Sequence, residues 1–133
     1  MVGYSGTPLL KKLGIKQQMR VSIVSAPFHY PKLLGKLPKG VALLSNDNKL
    51  NFLHFFSKSA SELKRQFPLL KRRILKDGAI WVSWPKGTSN IETDLNGDLV
   101  RKIGLANGLV DIKVCAIDED WSGLKFVYRR TDR

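Results

Sequence analysis

Residues 50–56 read Leu-Asn-Phe-Leu-His-Phe-Phe, and residues 79–84 read Ala-Ile-Trp-Val-Ser-Trp. Between them, Ser59-Ala-Ser-Glu62 precedes Leu63, Phe67, Leu70 and Ile74, which fall on one helical stripe. Short, largely apolar runs suit strands covered on both faces. Ser59 and Glu62 stand at capping-box spacing, in which the serine hydroxyl takes the backbone N–H three residues on. Lys64, Lys71, Arg72 and Arg73 fall off the apolar stripe. The whole stretch predicts strand, helix, strand, which is a parallel pair joined by a right-handed crossover. Pro68 lacks a backbone donor, so a kink or restart is expected inside the helix. Asp77-Gly78 reads as the turn into the second strand.

Upstream, Arg20–Ser25 alternates and is rich in β-branched residues, as a strand should be. Residues 1–7 read as an irregular arm. Thr7 then Pro8 places an N-cap before a proline at the first helical position. A short helix over 8–13 would put Leu9, Leu10 and Leu13 inward, with Gly14 ending it in the left-handed conformation. Ala26 to Pro31 is a loop, Leu33, Leu34 and Leu37 suggest a helical turn, and Val41–Leu44 is a second short strand. Downstream, Thr93 is the expected cap of a helix over 94–107 that turns Leu95, Leu99, Ile103 and Ala106 inward. Val110–Ile117 and Leu124–Arg129 are strands joined by a hairpin at Asp118-Glu119-Asp120. The fold class is therefore α/β: a single domain over 1–133 with a mixed, mostly parallel sheet and a C-terminal antiparallel hairpin.

The chain has 133 residues, 43% of them hydrophobic and 26% charged, which suits one globular core rather than disorder. No apolar run approaches the roughly 18 residues of a membrane span, and the N-terminus shows no signal peptide. A single cysteine, Cys115, leaves no intramolecular disulfide and fits a reduced, cytoplasmic setting. The net charge is +12. Residues 1–75 hold fourteen Lys and Arg against two acids, whereas residues 76–133 hold nine of each. So the excess lies wholly in the first part, which hints at a polyanion and equally suits a solvated surface.

The order of elements resembles the Rossmann-like class I methyltransferase fold, with Leu69–Trp84 similar to its helix, turn and following strand and Leu105–Val127 similar to its terminal hairpin. A second resemblance rests on Gly3–Leu9, Lys12–Ile15, Trp81-Val-Ser-Trp-Pro-Lys86, Val114-Cys-Ala-Ile-Asp118 and Trp121–Phe126. These are similar to a bacterial family of small proteins built on a domain of unknown function. That likeness implies a bacterial cytoplasmic protein and brings no activity with it. The methyltransferase likeness implies a glycine-rich turn after the first strand and an acid ending the second. Here the turn is Ser25-Ala-Pro-Phe-His-Tyr30, without glycine, and the second strand is followed by Ser45 and Asn46, with Asp47 the one acid nearby. No S-adenosylmethionine (SAM) binding, and no other cofactor, is expected.

Other motifs are weak. No phosphate-binding Gly-x-x-x-x-Gly-Lys-Ser/Thr occurs, and Lys86-Gly-Thr-Ser89 reads as a loop. His29 and His54 are too few for most zinc sites; His54, mid-strand, is expected to pack with its N–H satisfied. Asp118, Glu119 and Asp120 could hold a hard cation, but adjacent side chains diverge and a solvated turn is the plainer reading. Cys115 has no flanking base and reads as a small core residue.

Open α/β sheets bind ligands outside the carboxyl ends of their strands. That edge should carry Ser25, His29 and Tyr30, then Ser57 and Lys58, then Trp84 and Lys86, groups suited to a small anionic or aromatic ligand. The plainer alternative is that Tyr30 and Trp84 only cover the sheet end. The leading expectation is a non-catalytic or vestigial methyltransferase-like domain that binds a small ligand or a partner protein. One alternative is a nucleic-acid-associated protein, with Lys64, Arg65, Lys71, Arg72 and Arg73, and also Lys32, Lys36 and Lys39, on phosphates. Phe28 or Tyr30 would then supply a stacking surface. Another is an enzyme of unknown reaction at the strand-end cleft.

Overall fold

The computed structural model describes residues 8–133, so the 1–7 arm and the Thr7 cap lie outside the described residues. Helix α1 (Leu9–Leu13) ends at Gly14, whose φ of 85° is the expected left-handed stop. Strand β1 (Arg20–Val24) leads to α2 (Tyr30–Leu34), then β2 (Ala42–Leu43) and β3 (Leu50–Phe56). Helix α3 (Ala60–Lys71), strand β4 (Ile74–Pro85), helix α4 (Gly97–Ala106) and the hairpin β5 (Leu109–Ala116) and β6 (Trp121–Tyr128) follow.

The six strands form one sheet in the order β2-β1-β3-β4-β6-β5. β1, β2, β3 and β4 pair in parallel. β6 is antiparallel to both β4 and β5, so β5 runs in the common direction and β6 alone is reversed. The parallel neighbours and the hairpin are as the periodicity predicts.

Two cores sit on the two faces because side chains alternate along each strand. Leu53, Phe55, Ile80, Val82 and Phe126 meet Leu63, Phe67, Val100 and Ile103 of α3 and α4. Val21, Phe52, Phe56, Trp81 and Trp121 meet Leu13, Tyr30 and Leu34 of α1 and α2. The Trp81 indole N–H donates to Leu13 O at 2.9 Å, pinning α1 to the sheet.

Three local expectations change. Asp77-Gly78 is not a turn, because β4 already starts at Ile74, which pairs with Leu50. The next pair is Phe52 with Ala79, so residues 75–78 bulge outward opposite Asn51. Gly78 sits where a Cβ would come within 2.7 Å of Leu50 O, which excludes any larger residue. Helix α3 runs through Pro68 without restarting. Helix α4 starts at Gly97, capped by Asn96 through Leu99 N at 2.9 Å. Thr93 instead accepts from Leu95 N and donates to Lys58 O, a local turn that precedes the helix.

Candidate functional site

The chain passes from β1 out to β2 and returns to β3 on the other side of β1. This reversal opens a crevice at the carboxyl ends of β1 and β3, the place where open α/β sheets take ligands. The loop 25–29 follows β1 there. Ser25, exposed, has a φ of 59°. The left-handed bend that glycine would supply is thus present without glycine, at a conformational cost of about 1–2 kcal/mol.

His29 reaches across the edge. Its Nε2 is 2.8 Å from Asp118 Oδ2 in the β5–β6 turn. Asp118 is fixed in turn, since its Oδ1 accepts from the backbone N–H of Asp120 and of Trp121. β3 and β4 lie between these two loops in the sheet, so the bond bridges over their ends. Aromatic rings fill the space beneath. Tyr30 and Phe56 meet edge to face at 5.0 Å, as do Phe56 and Trp121 at 5.2 Å. His54 stacks on Phe56 at 4.2 Å.

Below the rings runs a buried polar chain. Tyr30 Oη lies 2.6 Å from His54 Nδ1, and His54 Nε2 lies 2.7 Å from Ser83 Oγ. Burial pushes the His54 imidazole down to about 3 and the Tyr30 phenol well up, with the Cys115 thiolate charge a lesser cause for the phenol. A neutral imidazole has one N–H, so one hydroxyl donates to the ring and the other accepts from it. The connectivity is that of nucleophile, base and orienting group. Yet Ser83 and His54 are both 0% exposed, which puts the serine out of reach of any substrate. The chain satisfies three buried polar groups, and the sequence expectation that His54 packs with its N–H satisfied holds.

Among the described residues, the expected site residues are spread over different surroundings. Ser57 is buried, and its hydroxyl lies 3.1 Å from both Ser59 O and Glu62 Oε1. Trp84 is buried in the α3–α4 core. Lys58 and Lys86 flank an open polar cleft of about 710 Å³ that also holds Glu92 and Asp94. Asp94 Oδ1 accepts from Ala60 N at 2.8 Å, so a carboxylate of the chain already occupies the N-terminus of α3. Tyr30 lines a different groove of about 420 Å³, with Ile23, Pro27, Phe28, Leu34 and Leu43. Phe28 is 96% and Leu43 59% exposed. Loop spacing could not show that this groove is separate, because it needs the α2 face and the β2 edge together.

The basic residues separate as well. Arg73 donates to Asp47 O, Ser45 O and Ser22 Oγ, and Lys71 donates to Asn107 O at 2.6 Å. Both hold the fold together. Lys64, Arg65 and Arg72 stay exposed. Asp47, the one candidate for a ribose-binding acid, lies 3.6 Å from the Arg20 guanidinium. Where the methyltransferase likeness implies a glycine-rich turn and a ribose-binding acid, this chain has the glycine-free loop 25–30 and an Asp47 that sits beside Arg20. Among the described residues no group of His, Cys, Asp and Glu could hold a metal, and no helix is long and apolar enough to cross a membrane.

No protein-family model and no curated protein matches the sequence. Solved structures do match the fold. A SAM-dependent methyltransferase from Aquifex aeolicus aligns over 89% of this chain and 86% of its own, with a TM-score of 0.66 and 17% identity. A precorrin-6y C5,15-methyltransferase from Geobacter metallireducens covers 91% and 86%, at TM-score 0.59 and 9% identity. The magnesium protoporphyrin IX methyltransferase of Synechocystis, with bound SAH, covers 91% and 78%, at TM-score 0.58 and 9% identity. At such identities the likeness is one of fold: a methyltransferase-like, Rossmann-like α/β sheet.

Proposed function

We propose that this methyltransferase-like domain is non-catalytic and takes a small apolar or aromatic ligand in the groove between β1, β2 and α2. The observation that carries the reading is the His29–Asp118 bond across the strand ends. With the aromatic rings beneath it, that bond fills the crevice where the fold would otherwise hold a ligand. The N-terminus of α3 is likewise occupied by Asp94. Beside this closed edge, the groove of about 420 Å³ stays open and is mostly apolar. Its size falls in the range of small-molecule sites. Exposed apolar side chains lining a concavity are a mark of binding, and Phe28 and Leu43 are both.

Two measurements test this. Titration calorimetry with SAM should give no heat of binding at sub-millimolar concentration. The dye 1-anilinonaphthalene-8-sulfonate should bind the native protein and gain fluorescence. The exposed-site double variant Phe28→Ser, Leu43→Glu should lose that gain while keeping its melting temperature. Micromolar SAM affinity would overturn the non-catalytic reading. Dye binding unchanged in the double variant would overturn the groove.

A further inference from the structure

At the opposite edge of the sheet, the amino ends of β3 and β4 and the late part of β6 border a further concavity of about 350 Å³ beside α1. Lysines dominate its wall: Lys11 and Lys16 from α1 and the loop after it, Lys113 from β5 and Lys125 from β6. Lys113 and Lys125 are directly paired across the two strands. Like charges directly opposite on a sheet repel and destabilise it. The Lys113 ammonium finds one acceptor, Lys12 O, at 2.8 Å. Lys125 is half-buried and makes no hydrogen bond or ion pair among the described residues. Burial, then Lys113 and Lys16, push its ammonium below the ordinary lysine range. Its position is tight, since a side chain at Gly14 would come within 3.3 Å of Lys125 Nζ. Asp77 also lines the concavity, but no ion pair joins it to these lysines among the described residues.

A half-buried ammonium with two more beside it and no acidic partner among the described residues is unfavourable in the free protein. An anion placed between them would remove that cost. We propose that this pocket binds a small, multiply charged phosphate compound, with Lys125 at its floor and Lys16 and Lys113 at its sides. A single carboxylate would neutralise one lysine and leave the others repelling. A di- or triphosphate carries charge and acceptor oxygens for all of them, and charge-assisted bonds of this kind are the strong ones. A concavity of this size encloses a phosphate chain, whereas a nucleic-acid strand needs an extended basic track. This inference is independent of the apolar groove and of the reading of the strand ends.

The test uses the whole protein and thermal unfolding at one fixed ionic strength. Tripolyphosphate, pyrophosphate, ATP, AMP, sulfate and a single-stranded oligonucleotide are compared. Tripolyphosphate should raise the melting temperature by several degrees, with pyrophosphate next and sulfate near zero; ligand binding stabilises by mass action. ATP matching tripolyphosphate would show that a nucleotide's phosphate tail is accepted, while a free polyphosphate alone would show that it is not. Lys125→Met should abolish the shift and also raise the melting temperature of the unliganded protein, because a repelled charge is gone. Lys16→Gln should weaken binding at least tenfold by calorimetry. The exposed controls Lys32→Gln and Lys36→Gln should leave it unchanged. Should Lys125→Met fail to fold, Lys113→Gln together with Lys16→Gln must give the same loss. Equal losses from the control lysines, no shift with tripolyphosphate, or tighter binding of the oligonucleotide would each overturn the proposal.

Discussion

His54 shows how far a single residue can be read. Its place in the middle of an apolar strand marks it as an interior histidine. Tyr30 and Ser83, its partners, lie 24 and 29 residues away in the chain, so nothing in the local sequence points to them. The consequence is measurable. The folded imidazole titrates near 3, against 6.5 for an ordinary histidine. Between those values the unfolded chain binds one more proton than the folded one, so stability rises with pH through that window. It is fully present above about pH 6.5 and is lost as the pH falls toward 3, by about 1.4 kcal/mol per unit. Urea unfolding at pH 7.5 and pH 5 should register this slope. The triple variant Tyr30→Phe, His54→Phe, Ser83→Ala removes the polar chain as a unit and should flatten it. His54→Phe alone should be the less stable protein, because each hydroxyl left buried without a partner costs about 1–3 kcal/mol. An unchanged slope in the triple variant would contradict the assignment.

At the scale of elements, the strands were legible and two boundaries were not. Ile74 lies four residues after Leu70, which is helical spacing, yet it opens β4 because its backbone pairs with Leu50. Periodicity cannot separate the last position of a helix from the first of a strand when both are buried. Thr93 and Asn96 are both good caps, and only the pairing of Asn96 Oδ1 with Leu99 N decides between them. How α4 seats on the sheet was also hidden. Gly104 faces Phe126 so closely that a Cβ there would overlap the ring. Gly104→Ala raises helix propensity by about 1 kcal/mol, but must push helix and strand apart, and overpacking costs about 1–3 kcal/mol. Net destabilisation is expected, read as a lower urea midpoint. A companion Gly104→Ala, Phe126→Leu variant should recover part of it. A Gly104→Ala protein more stable than the original would show that the contact is loose.

For the whole molecule, the methyltransferase-like architecture was legible because the strands announce themselves and the crossovers β1 to β2, β3 to β4 and β4 to β5 each carry a helix, while β2 returns to β3 by the short loop 44–49. The candidate site was not, because it depends on which loops meet across the sheet. Ser25, His29, Tyr30, Ser57 and Trp84 lie near the right edge, yet three of them are buried and none lines the polar cleft that Lys58 and Lys86 flank. The charge excess behaves similarly. It is a property of residues 1–75 in sequence, but Lys71, Arg73 and Arg20 are engaged with backbone carbonyls. If the exposed cations of the α3 region, Lys64, Arg65 and Arg72, bind nucleic acid, affinity must fall steeply with salt. Each neutralised phosphate adds about 0.7–0.9 to the log–log slope. Replacing these three by glutamine should lower the slope without altering sequence preference, as read by fluorescence anisotropy. No binding by the original protein at low ionic strength would end that alternative, since exposed charges act most strongly there.

The reversed strand β6 stands inside the sheet, between β4 and β5, although it follows both in the chain. During synthesis, β5 leaves the ribosome with nothing native to pair with. The strand that will join it to β4 has yet to be made. A nascent chain stopped at the 118–120 turn would expose the flank of β4 and leave β5 without a strand to pair with, although α4 already has α3 to pack on. The sheet therefore cannot be completed in order of emergence. Its closure waits for Trp121–Tyr128 to thread into the gap, a late step that demands pairing on both sides at once.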